Sequence, residues 1–180
     1  MTTEVWSPRY SLETMHSPLR SRVSDHTRGW LYVLAQAVLL VTLVVVPNAD
    51  HWPTPDALSA LSSFLVIAGL ALMVAASLRL GRALTPTPVP NGRGALQTGG
   101  LYRYMRHPIY TGVLLVVIGL VVGSGNVIAL LVGLVTFGFF ARKARWEEAQ
   151  LTRAFPDYEA YARRTARFFP HPRRTGTVQR

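Results

Sequence analysis

The chain has no cysteine. That excludes disulfides, thiolate nucleophiles and Cys-ligated metals together. Acidic residues are scarce, with nine Asp and Glu against 19 Lys and Arg and a net charge of +10. The five His show no H-x-x-H or H-E-x-x-H spacing, so no metal site is expected. Charge itself is missing from four stretches, 29–47, 57–78, 109–123 and 127–141. Nor do these stretches carry the polar face of a helix in a soluble core.

What is present is therefore lipid-soluble sequence. The first two stretches reach the roughly 20 residues that span a bilayer. The last two are shorter, at roughly 22 Å each for a 1.5 Å rise per residue. They must recruit flanking residues or leave the bilayer thinned. The first stretch follows a long polar segment and precedes no small-residue cleavage pattern, unlike a signal peptide. The expected fold is all-α, a polytopic membrane protein with about four transmembrane helices and short cytoplasmic C-terminal helices. Its 180 residues allow one domain. We divide it into a cytoplasmic segment over 1–27, a membrane domain over 28–170 and a polar tail over 171–180.

The distribution of basic residues orients the chain. Four Arg precede the first stretch, five lie between the second and third, and ten Lys and Arg follow the fourth. The two remaining connections have none. This positive-inside pattern places both termini in the cytoplasm, in a bacterial-type plasma membrane. The basic residues would also meet anionic lipid headgroups. Nucleic acid is not an expected partner, because no basic platform interleaved with aromatics is present.

The connections read as follows. Asn48 to Asp56 is a short external loop with Pro53 and Pro55, and its Asp50-His51 pair is an exposed one. Leu84 to Gly100 is the main internal loop. Pro86, Pro88 and Pro90 favour extended backbone there, Asn91-Gly92 marks a turn, and Gly94, Gly99 and Gly100 permit close backbone approach. Gly123-Ser124-Gly125-Asn126 turns the last two stretches into a hairpin. Trp146 to Ala154 continues the fourth helix beyond the membrane. Pro156 interrupts it, and a short helix starts there, with Tyr158 and Tyr161 on one face and Arg163 and Arg164 on the wetter side. Phe168-Phe169-Pro170 closes the segment.

The hairpin returns the chain to the side it left, so its two feet can meet. Ionisable groups beside a membrane segment are costly and usually functional. The first foot is Arg106-His107-Pro108-Ile109-Tyr110. Pro108 suits the first position of a helix, which puts Arg106 and His107 beside free backbone N–H groups and the positive end of the dipole. That favours a carboxylate or phosphate, which Arg106 can hold by two parallel bonds. Tyr102 and Tyr110 flank it. Arg103 reads as an anchor. The second foot is Glu147-Glu148. Adjacent residues on a helix point about 100° apart, so one can face a pocket while the other faces Arg or water. Together the feet offer a cation, an anion and aromatic faces, and S-adenosylmethionine needs all three.

The run Gly94-Ala95-Leu96-Gln97-Thr98-Gly99-Gly100-Leu101-Tyr102-Arg103-Tyr104-Met105-Arg106-His107-Pro108-Ile109-Tyr110-Thr111-Gly112 resembles the signature of isoprenylcysteine carboxyl methyltransferases and their bacterial relatives. Phospholipid N-methyltransferases share the architecture. Glu147-Glu148, Leu151, Phe155, Tyr158, Tyr161 and Arg167-Phe168-Phe169-Pro170 match the second half of that signature. Pro156 stands where family members often have Gly, and the eukaryotic enzymes have extra membrane helices.

The resemblance implies an integral membrane methyltransferase that uses S-adenosylmethionine, with its cofactor part over about 92–170. The cofactor would enter from the cytoplasm and a lipophilic substrate from the bilayer. His107 and Tyr110 would contact the cofactor, with Tyr102 flanking and the Gly99-Gly100-Leu101 backbone close by. One of Glu147 and Glu148 would hold its amino or ribose groups, and Tyr158 and Tyr161 would close the pocket. Arg106, Glu148 and Arg167 are the candidates for the reacting side: the two Arg for the substrate or carboxylate side, and a Glu to take a proton from an amine. Two rivals exist: a membrane reductase using NADPH, since some sterol reductases have related C-terminal halves, and a non-enzymatic scaffold or resistance accessory.

Overall fold

A computed structural model describes residues 17–81 and 96–170, with residues 17–26 as backbone only. The expected polar tail, the proline-rich part of the internal loop (residues 82–95) and the first 16 residues lie outside the described residues. Five α-helices follow in order: α1 Ser17–Val45, α2 Asp56–Leu80, α3 Pro108–Ser124, α4 Val127–Ala154 and α5 Tyr158–Arg164. A single 3-10 turn, Gly100–Arg103, precedes α3. No strand is present among the described residues. The all-α expectation holds.

Three segments are long and apolar enough to cross a membrane: Thr27–Val45, Asp56–Leu80 and Val127–Ala154. The fourth apolar helix, α3, has 17 residues. At 1.5 Å per residue it is about 25 Å long, short of a hydrocarbon core of about 30 Å. The fourth stretch is not short in the folded chain. Its helix runs 28 residues to Ala154, about 42 Å, so the charged part after Ala141 projects beyond the apolar part. At the other end, α1 begins at Ser17, inside the segment expected to be separate from the membrane domain.

The surface is apolar where a soluble protein's would be polar. Leu34, Val41, Phe64, Ile67, Leu131 and Leu134 are all exposed. Contiguous apolar surface on three long helices is suited to lipid, and the inward core is small: Leu43, Val113, Leu114, Val117, Ala129 and Phe140. Small residues let α2 and α3 approach closely, as membrane helices do. A Cβ at Gly69 would stand 2.5 Å from the Gly112 carbonyl oxygen. Ser62 Oγ donates to the Gly119 carbonyl at 2.8 Å across the same contact.

The hairpin turn forms where the sequence places it. Gly125 adopts the left-handed conformation, φ 60°, which glycine takes without steric cost. Asn126 caps α4, its side chain accepting from Ile128 N at 2.7 Å, and its amide donates to the Pro47 carbonyl at 2.8 Å. The 46–55 loop is tied to this turn by Ala49 N to Ser124 O (2.8 Å) and His51 N to Gly125 O (3.0 Å). Asp50 and His51 are exposed there. Both connections without basic residues thus share one end of the bundle, and both feet share the other.

Candidate functional site

Pro108 is the first residue of α3 and His107 its N-cap. The backbone just before it is held by the end of the described chain. Met105 and Ala166 form an isolated parallel bridge; Arg106 N donates to Ala166 O at 2.8 Å and His107 N to Arg167 O at 3.0 Å. Thr111 Oγ1 adds a bond to Phe168 O at 3.0 Å. This short strap sets Arg167 beside the feet. No sequence signal marks it, because two residues of extended pairing leave no periodicity to read.

Phe155 ends α4, and α5 starts after Asp157 as N-cap, so Pro156 sits before the cap and not in the first helical turn. Tyr158 and Tyr161 are buried on one face of α5, with ring centres 5.9 Å apart. Tyr161 Oη donates to the Tyr102 carbonyl at 2.6 Å, which joins α5 to the 3-10 turn. Arg163 and Arg164 are exposed, as expected.

The two feet meet, and they divide the glutamates. Glu148 is ringed by basic groups. Arg167 Nη2 and Nε donate to it at 2.7 and 2.9 Å, Arg106 Nη2 lies 3.1 Å away, and His107 Nε2 stands at 3.1 Å. Arg106 also donates to the Ala162 and Thr165 carbonyls. Among the described residues Glu147 has no arginine partner. It accepts from Tyr110 Oη at 2.8 Å and faces His107 Nδ1 at 3.6 Å. Its side chain is 24% exposed against 14% for Glu148. The His107 ring, buried, stacks on Tyr110 at 5.2 Å with the planes 2° apart.

Electrostatics follow this geometry. The bond to Glu148 raises Arg167 above its usual range. Burial pushes Tyr102 and Tyr161 up to about 12, and it raises Tyr158 further still. All three therefore remain hydroxyl donors at neutral pH. Tyr158 Oη is buried and has no hydrogen-bond partner, alone in this among the described side chains. It lies within the field of Glu148, Arg106 and Glu147. A buried hydroxyl without a protein partner is costly to the free chain.

The structure therefore brings Arg106, His107, Tyr110, Glu147, Glu148 and Arg167 into direct contact, with Tyr158 and Tyr102 close to the acidic pair. Gly99, Gly100 and Leu101 form the start of the 3-10 turn, Gly100 at φ 60° with Arg79 against it. A cleft of about 750 Å³ opens beside that turn, lined by Thr98, Arg103, Phe155, Tyr161 and Arg164. Tyr161 belongs to it; His107 and the glutamates do not. Sequence reading missed Lys143, which lies 5.2 Å from the Tyr110 ring centre. In the sequence it stands in a basic run with Arg142 and Arg145, and only its burial at 3% exposure sets it apart. Among the described residues no group of three or more His, Asp or Glu could hold a metal ion.

Comparison with known proteins adds three findings. A family model described as phospholipid methyltransferase matches residues 58–158. The chain is 30% identical over 157 residues to the nickel-cobalt-cadmium resistance protein NccN of Alcaligenes xylosoxydans xylosoxydans, covering 86% of this chain and 69% of that one. It is 38% identical over 77 residues to the protein-S-isoprenylcysteine O-methyltransferase of Schizosaccharomyces pombe, covering 42% of this chain. The chain spans about a third of that second relative, 33% of its length. The family match runs from the start of α2 to Tyr158 and so holds both feet of the hairpin, and on it the chain belongs to the phospholipid methyltransferase family of integral membrane proteins.

Proposed function

We propose that the protein transfers a methyl group from S-adenosylmethionine to a lipophilic acceptor at the cytoplasmic face of the membrane. The observation that carries this reading is the split acidic pair around His107: one glutamate neutralised by two arginines, the other free of them, with the unpaired Tyr158 hydroxyl buried beside both. A zwitterionic amino-acid group needs an anion and a cation a few ångströms apart. The residues present fit it. Glu147 would accept from its ammonium, the Arg106–Arg167 side would face its carboxylate, and Tyr158 would donate to it. Tyr110 and His107 offer flat faces for a ring.

When bound, S-adenosylmethionine supplies a methyl carbon made electrophilic by its sulfonium. The chain's part is placement and exclusion of water. His107 and Tyr110 set the floor of the site, and the strap and α5 cover it. Glu148 holds Arg106 and Arg167 in place and, so engaged, makes a poor proton acceptor. Glu147 is the better placed of the two to take a proton, should the acceptor be an amine. The lipophilic acceptor would come from the bilayer along the apolar helices.

Calorimetry in detergent tests this directly. Wild type should bind S-adenosylmethionine and its demethylated product, and Glu147→Ala and His107→Ala should weaken both. Wild type that binds neither ends the proposal. A labelled-methyl assay on native membranes then identifies the acceptor from the labelled lipid-soluble product.

A further inference from the structure

The polar contacts of the site do not stop at Glu147. One turn earlier on the same face of α4 is Lys143, 3% exposed. Its Nζ donates to Gln36 Oε1 of α1 at 2.6 Å. It also lies 5.2 Å from the Tyr110 ring centre and 5.9 Å from that of Phe140. Among the described residues it forms no ion pair within 4.0 Å. An ammonium has three N–H donors, and one is used. Positive-inside anchoring does not account for it, because an anchoring lysine takes its head to water and this one is enclosed by α1, α3 and α4. A charge held by a neutral amide and two ring faces, beside the apolar part of a membrane helix, is costly unless it acts on something.

Its position says on what. Four residues at 1.5 Å place Lys143 about 6 Å along α4 from Glu147, toward the apolar part. Tyr110 touches both ends of this path, donating to Glu147 and lying under Lys143. The ammonium therefore lies on the apolar side of the polar site, one turn of α4 from Glu147 and against the same Tyr110 ring, the side from which a lipophilic acceptor would approach. We propose that Lys143 reads the charge of the acceptor: its two free N–H groups bind an anionic polar end and repel a cationic one. This rests on the methyl-transfer reading for its purpose. It sets the chain apart from an enzyme built for a protonated amine headgroup.

The test uses permanently charged probes, tetradecanesulfonate and tetradecyltrimethylammonium, titrated below their solubilising concentrations. The full chain is held in nanodiscs of phosphatidylcholine and binding is followed by thermophoresis. Wild type should prefer the sulfonate by at least tenfold. Lys143→Met should lose the preference, Lys143→Arg should keep it, and the exposed Arg163→Met should keep it as a control for net charge. Lys143→Gln serves where the Met variant does not fold. A wild type without preference overturns the proposal, and so does a Met or Gln variant that retains it. Loss of the preference on adding phosphatidylglycerol also overturns it, by assigning the ammonium to a headgroup phosphate. Cofactor calorimetry on the same preparations separates the two readings. Charge preference without cofactor binding leaves Lys143 a lipid-anion site and removes the methyl transfer. Cofactor binding without charge preference does the reverse.

Discussion

Glu147 and Glu148 are neighbours in the chain, yet their surroundings give them different work. Glu148 is the only carboxylate near Arg106 and Arg167 among the described residues. Glu148→Gln would leave two guanidiniums facing each other, and breaking such a partly buried set costs about 3 kcal/mol. The apparent melting temperature in detergent should fall clearly. Glu147→Gln keeps an acceptor for the Tyr110 hydroxyl, so stability should change by less than about 1 kcal/mol. Its effect should appear in cofactor affinity instead, as a loss of about tenfold. Tyr158→Phe makes the sharpest contrast. It removes a buried hydroxyl that has no partner, so the free protein should melt unchanged or slightly higher. A hydrogen bond worth about 0.5–1.5 kcal/mol would be lost to the ligand, or about 2- to 12-fold in Kd. A Phe variant with wild-type affinity would remove Tyr158 from the site. The charge split was legible only in outline. The 100° offset of adjacent helical residues shows that the glutamates must diverge, but which one meets the arginines depends on Arg167, and Arg167 arrives by the strap.

Among the elements, the contact of α2 with α3 carries the position of the first foot. Gly112 is one turn into α3 from His107, and a Cβ there would stand 2.5 Å from Met73 Cγ and 2.6 Å from the Gly69 carbonyl. Gly112→Val should force the helices apart and cost about 1–3 kcal/mol by overpacking. Gly138 on α4 has open space around its Cβ direction, so Gly138→Val should be nearly neutral. Thermal melts of the two variants in the same detergent check this, and equal melts would show that the close approach is not required. The helices, the hairpin turn and the short α5 were readable because each has a local signal: an uncharged run, a Gly-Asn cap, a proline stop. Close packing of α2 on α3 was not, since a glycine on a uniformly apolar helix does not say which face is the interface. The Gln36–Lys143 contact escaped for the same reason. It joins positions 107 residues apart, and no spacing rule reaches that far.

At the scale of the whole molecule, methyl transfer depends on which side of the membrane the two feet occupy. The bundle has two unlike ends. One holds the 46–55 loop and the hairpin turn, joined by backbone bonds and free of Lys and Arg. The other holds both feet, the strap and α5, and the Lys and Arg side chains of the described residues lie toward it. The positive-inside rule predicts the cytoplasm for the second end, where a soluble cofactor would be available. The lack of cysteine makes this directly measurable, because any single introduced thiol is the only one in the chain. Asp50 and Thr152 are exposed at opposite ends. In intact cells a membrane-impermeant maleimide should label Asp50→Cys and should label Thr152→Cys only after permeabilisation. The reverse pattern would put His107 and the glutamates outside the cell, away from any cytosolic methyl donor. Methyl transfer from S-adenosylmethionine would then fail on access alone, however well the residues fit.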